Sequence, residues 1–165
     1  MVEIGTAFES DTIASLRSFH MDLRRVGGAN DKGVDLRGKW VLSGSAGSSA
    51  PHTVPIIVQC KASRTPLGPK YLRELEGTLA RESAGTIAVM ACYEGYTRAA
   101  VEVCLGSVRP MILAVVERVG RRCVGFTMNR ATQYLLPGVR MVRGEAGVRV
   151  WYGGRCLGEG VGGGG

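Results

Sequence analysis

Phe8, Thr12, Leu16, Phe19 and Leu23 recur at intervals of three and four residues, the stripe of an amphipathic helix. The spacing predicts one helix from near Thr6 to just before the Gly27-Gly28 pair, with Glu9 in its first turn and His20 within it. Thr6-Ala7-Phe8-Glu9 also has the form of a capping box, so Glu9 either satisfies the helix N-terminus or presents a carboxylate for other use. The period then falls to two. Val34, Leu36, Trp40 and Leu42 alternate with Asp35, Arg37, Lys39 and Val41, which predicts a strand with Asp35 on its polar face and Gly38 at a bend or bulge. Residues 43–53, rich in Ser and Gly, have little to bury and read as a flexible loop. Residues 54–63 read as a half-buried strand in which Ile57, Gln59 and Lys61 share one face and Ile56, Val58 and Cys60 the other.

A second amphipathic helix follows Pro69, with Leu72, Leu75 and Leu79 on one stripe and Arg73, Glu74, Glu76 and Arg81 opposite. Residues 86–92 form a continuous apolar run of strand length, Thr97 caps a short helix carrying Ala100, Val103 and Cys104, and residues 111–116 make another buried strand. This order predicts an α/β domain, a central mixed sheet flanked by helices. Beyond Glu117 the pattern changes. Between Arg118 and Arg155 eight arginines stand against the single acid Glu145. A short helix at residues 129–136 and a hairpin at 139–152, turning near Gly144 to Gly147, are expected inside this stretch. The expected organisation is a core over residues 1–117, a basic extension over 118–157 packed on the same domain, and a disordered glycine tail over 158–165.

At 165 residues the chain has the size of one domain. Its net charge is +7, and only four of its 21 cations are lysines. Arginine forks match phosphates bidentately and stack on bases, so this bias leans toward nucleic acid. Five cysteines without CxxC spacing argue against a zinc site or a disulfide framework and suit a reducing compartment. No apolar run approaches a membrane span, so no membrane partner is expected. The N-terminus leads directly into structure without a signal, so any targeting peptide of the native protein is expected to be missing from this chain.

Hydrolysing a phosphodiester needs oxygen ligands for Mg2+ or Mn2+, an activated water and positive charge at the phosphate. Asp35 on one strand, with Gln59 and Lys61 at i and i+2 on the next, supplies such a set on one wall. His20 and His52 stand alone, which excludes a histidine-based cluster or triad. The glycine-rich segment from Gly27 to Gly33 precedes a strand rather than a helix, so it is no P-loop, and Asp31 within it reads either as a turn residue or as an acid within reach of the metal.

Gly33-Val34-Asp35-Leu36, Val58-Gln59-Cys60-Lys61 and Arg73-Glu74-Leu75-Glu76-Gly77 resemble the motifs of Mrr-like restriction endonucleases, a branch of the PD-(D/E)xK nucleases similar to archaeal Holliday-junction resolvases. Within that group the chain most resembles the fungal mitochondrial "required for respiratory growth" family, which has the same Gly-Thr-x-x-Glu opening, the Arg-Glu-Leu-Glu-Gly helix and a basic extension with Leu-Leu-Pro, here Leu135-Leu136-Pro137. The resemblance implies a restriction-endonuclease-like fold in which Asp35 is the metal-binding aspartate, Gln59 stands at the acidic position of the (D/E)xK element and Lys61 is the catalytic lysine. Glu9 is then the additional first-helix acid. The activity implied is Mg2+- or Mn2+-dependent cleavage of DNA, in the mitochondrion, by an enzyme that is often a homodimer. Phosphate contacts are expected from Lys32, Arg64 and Lys70 and from Arg118, Arg121 and Arg122. Glutamine at the acidic position removes a negative charge from the metal site. Two other functions therefore stay open: a nucleic-acid-binding module on a decayed nuclease fold, and an assembly factor for mitochondrial gene expression.

Overall fold

The computed structural model describes residues 2–27, 33–43 and 50–159. Six strands form one mixed sheet in sequence order: β1 (Met21–Arg25), β2 (Leu36–Leu42), β3 (His52–Lys61), β4 (Ile87–Cys92), β5 (Met111–Val116) and β6 (Cys123–Met128). Helices α2 (Pro69–Leu79) and α3 (Arg98–Gly106) carry the chain back between β3, β4 and β5, and these three strands run parallel, as crossover connections require. The remaining neighbours are antiparallel. Helix α1 (Val2–Arg17) precedes the sheet, and α4 (Arg130–Leu135) leads from it into a second, antiparallel sheet of β7 (Val139–Gly144), β8 (Gly147–Tyr152) and β9 (Arg155–Glu159).

The central sheet is buried on both sides. On one flank Leu72, Leu75 and Leu79 of α2 and Ala100 and Cys104 of α3 pack with Ile57, Met90 and Leu113. On the other, Phe8 and Leu16 of α1 share a cluster with Trp40, Val58 and Phe126 and with Val148, Val150 and Leu157 of the second sheet. Trp40 is fully buried without an orphaned donor because its indole N–H donates to the Phe19 carbonyl at 2.8 Å. Asn129 joins the two halves: its amide donates to the carbonyls of Cys104 and Arg109 at 3.0 and 2.7 Å, and its oxygen accepts from the amides of Met111 and Thr132.

Several expectations hold closely. Thr97 accepts from the Ala100 amide at 3.2 Å as the cap of α3, and β7 and β8 form the hairpin that turns between Gly144 and Gly147. Others are corrected. The first helix ends at Arg17, and the chain reverses through His20 at φ +69° into β1. Phe19, Met21 and Leu23 are all buried at period two, and because Phe19 and Leu23 are also four apart, the helical stripe reads straight through the turn. His20 is therefore a turn residue, and Thr6, four residues inside a helix that begins at Val2, is no N-cap; the capping-box role of Glu9 falls with it. Gly38 marks neither bend nor bulge, since it lies in unbroken register between Leu23 and Ile56. A Cβ there would sit 1.8 Å from the Asp22 carbonyl oxygen, so glycine permits the close approach of β1. Strand β3 is covered on both faces rather than half-buried, with Ile56, Ile57 and Val58 all enclosed. The basic stretch does not begin outside the sheet: its first element is β6, and β9 adds a strand that the hydrophobic pattern did not announce. The loop expected at 43–53 joins antiparallel strands β2 and β3, but residues 44–49 and tail residues 160–165 lie outside the described residues.

Candidate active site

Asp35 sits one residue before β2 and is tied down from both sides. Its carbonyl accepts from the Val26 amide at 3.0 Å, and its amide donates to the Val58 carbonyl at 2.9 Å. The latter bond is offset by one residue from the register in which Leu36 faces Val58. Its carboxylate Oδ2 accepts from the Cys60 amide at 2.7 Å, so it is anchored to the residue between Gln59 and Lys61. A carboxylate held by a backbone N–H and by its own ladder bonds has little freedom, which is the preorganisation that metal chemistry needs.

Gln59 and Lys61 leave β3 on the flank of α2. Gln59 is 7% exposed, and Gly33 makes room for it: a Cβ at Gly33, whose φ is +84°, would lie 3.3 Å from Gln59 Nε2. Lys61 is partly exposed at the end of β3, with its ammonium 5.6 Å from the centre of the Tyr71 ring on α2. Tyr71 was not singled out from the sequence, where its one signal is its place in the first turn of the helix that follows Lys61. On the opposite flank the Cys60 thiol meets Thr12 of α1. Burial first, and then the negative charge of Asp35, pushes this thiol well above the usual range, so it stays protonated; Glu9 pushes in the same direction. Glu9 pairs with Arg25 of β1 at 3.2 Å, and Arg25 also donates to Ser10 and to the Thr6 carbonyl. The two acids thus flank one thiol, with Glu9 engaged by a cation.

The expected phosphate contacts divide. Lys32 lies outside the described residues, while Arg64 and Lys70 are exposed on the segment from β3 into α2. Arg118, Arg121 and Arg122 each face an acid. Arg118 pairs with Glu94 at 3.3 Å and covers the Tyr93 ring at 4.1 Å, Arg121 pairs with Asp11 at 3.1 Å, and Arg122 forms a two-pronged pair with Glu117. Among the described residues no three His, Cys, Asp or Glu side chains gather as a ready-made metal cluster. None of their helices is long and apolar enough to cross a membrane.

Fold and site define a mixed α/β domain in which the start of β2 and the end of β3 present an anchored carboxylate, a buried amide and a lysine. Comparison of the sequence identifies its family: the model described as Required for respiratory growth protein 7 matches residues 1–54 and 44–136, and the chain belongs to that family. It is 32% identical over 109 residues, 66% of its length, to the mitochondrial protein C824.03c of Schizosaccharomyces pombe, and it spans 42% of that relative's length. The protein is mitochondrial. Among solved structures it is similar to the MspJI restriction endonuclease in complex with a 27-mer oligonucleotide, at 18% identity and a TM-score of 0.45, covering 68% of this chain and 28% of that one.

Proposed function

We propose that this chain is a metal-dependent endonuclease domain of the PD-(D/E)xK type, with a restriction-endonuclease-like fold, that hydrolyses DNA phosphodiester bonds in the mitochondrion. The observation that carries the reading is the 2.7 Å bond from the Cys60 amide to Asp35, which anchors the one carboxylate to the Gln59-Cys60-Lys61 element. The donor set fits a hard cation. Asp35 and Gln59 offer carboxylate and amide oxygens, and the protonated Cys60 thiol offers no competing thiolate. Mg2+ commonly takes only one or two protein carboxylates and completes its shell with water and substrate phosphate, so the neutral Gln59 is compatible with it. Asp35 and Gln59 would hold the ion, while the charge of Glu9, the additional acid expected on α1, is offset by its pair with Arg25. The metal, when bound, supplies Lewis acidity and a more acidic water. Lys61 orients that water and offsets charge on the phosphate, while Arg64 and Lys70 hold neighbouring phosphates.

The resting arrangement also favours a second reading, binding without cleavage, because Gln59 is neutral and seated against Gly33. Plasmid incubated with Mn2+ and either wild type or Lys61→Ala separates the two. Nicking by wild type and not by the variant is expected; binding by both with cleavage by neither would establish the second reading.

A further inference from the structure

The second sheet turns Val139, Val148 and Val150 inward, which leaves an outer face with Arg140 directly across from Trp151 and Val142 across from Arg149. Trp151 is 37% exposed and Val142 53%, although both are large and apolar. A groove of about 550 Å³ is lined by Arg140, Val142 and Trp151 with Pro137 and Gly138. Pro137 also borders a second groove with Arg130, Gln133 and Tyr134 of α4. Tyr134 is 74% exposed, and the Arg130 guanidinium stands 5.9 Å from the centre of its ring.

Two exposed aromatic rings, each beside an arginine, therefore share one rim. Arg130 and Arg140 make no ion pair among the described residues, unlike the arginines of the 118–122 turn. Glu145 lies in the tight turn at the opposite end of the hairpin from Trp151, and the cations that line the two grooves are Arg130 and Arg140. None of these residues comes from the elements that carry Asp35, Gln59 and Lys61.

We propose that this outer face and α4 form a binding platform for single-stranded nucleic acid, in which Trp151 and Tyr134 stack on bases while Arg130 and Arg140 hold the phosphates between them. Stacking needs base faces that a duplex keeps covered, and the paired cations match a polyanion better than an apolar protein partner. Asn129, buried and fully bonded, fixes α4 to the central sheet, so one half of the platform is held rigid.

The fluorescence of the full chain tests this directly, because Trp40 is fully buried and Trp151 is the exposed tryptophan. The measurement is made in EDTA with oligo(dT), oligo(U) and a blunt duplex, so its outcome does not depend on whether the Asp35 site cuts. Saturable quenching by the single strands and weaker quenching by the duplex is expected. Read by the anisotropy of a dye-labelled oligo(dT), which does not depend on the Trp151 signal, Trp151→Ala should weaken single-strand affinity about tenfold to a hundredfold, as removal of a stacking ring does. Trp151→Phe should retain most of the affinity, and Arg140→Glu should lower it without changing the melting temperature. Absence of quenching, equal quenching by duplex, or wild-type affinity in Trp151→Ala would overturn the proposal.

Discussion

Asp35 at the start of β2 has its backbone tied to the neighbouring segments and its carboxylate to the Cys60 amide, whereas Trp151 and Arg140 reach solvent with no side-chain hydrogen bond or ion pair among the described residues. Both regions carry polar chemistry on a sheet, yet one is fixed and the other accessible. Reacting groups must be held before substrate arrives, while a binding face must stay open to it. Arginines divide along the same line: those of the 118–122 turn bind the protein's own acids, and those of α4 and β7 face outward. Composition counts both sets alike, so the basic stretch reads as one surface when it is two.

Separating the two regions should give the largest effect. Lys61→Ala is expected to lower cleavage about a hundredfold to a thousandfold and leave Trp151 quenching unchanged, by gel assay and fluorescence on one preparation. Gly33→Ala should come next, because it forces a side chain into φ +84° and toward the Gln59 amide. A loss of about 1–2 kcal/mol in urea unfolding is expected, together with a clear fall in single-turnover cleavage.

Charge reversal sharpens the comparison further. Charge alone predicts that Arg121→Glu with Arg122→Glu weakens DNA binding and flattens its salt dependence. The ion pairs to Asp11 and Glu117 lead instead to a lower melting temperature with the salt slope kept. Reversing Arg130 and Arg140 should do the opposite, removing about 0.7 from the log-log slope for single strands per lost phosphate contact. A flattened slope in the first pair would reassign that turn to the nucleic-acid surface.

A further effect concerns alkaline pH. Burial pushes the thiols of Cys104 and Cys123, one on each flank of the sheet, up to about 12. The folded state therefore holds these protons more tightly than the unfolded chain. This contribution is complete below the ordinary thiol range near pH 9 and is lost as pH rises toward 12. Urea midpoints should fall between about pH 8 and pH 10.5. In the native protein at neutral pH, maleimide should modify the partly exposed Cys156 on β9 before Cys104 or Cys123.

Much of the fold was legible because its elements keep a single period. Leu72, Leu75 and Leu79 on α2 and the apolar runs of β4 and β5 leave little choice of structure. Strand β1 was hidden because Phe19 and Leu23 satisfy both periods, and β6 because Gly125 and polar neighbours break the apolar run of an edge strand. At the site, spacing alone put Gln59 and Lys61 on one face of β3, as found. The anchoring of Asp35 was not legible, because it depends on a one-residue offset between strands and on the Cys60 amide, and a sequence records neither. The pairing of Arg118 and Arg121 was equally hidden, since Glu94 and Asp11 are distant in sequence.

The central claim is that Asp35 and Gln59 hold the catalytic metal, and Mn2+ titration followed by electron paramagnetic resonance tests it most directly on wild type, Asp35→Asn and Gln59→Glu. One site per chain is expected in wild type, weakened at least about tenfold in Asp35→Asn and tightened in Gln59→Glu, which restores a carboxylate to the oxygen set. Equal Mn2+ binding by all three proteins, or none by wild type and Gln59→Glu alike, would contradict the account.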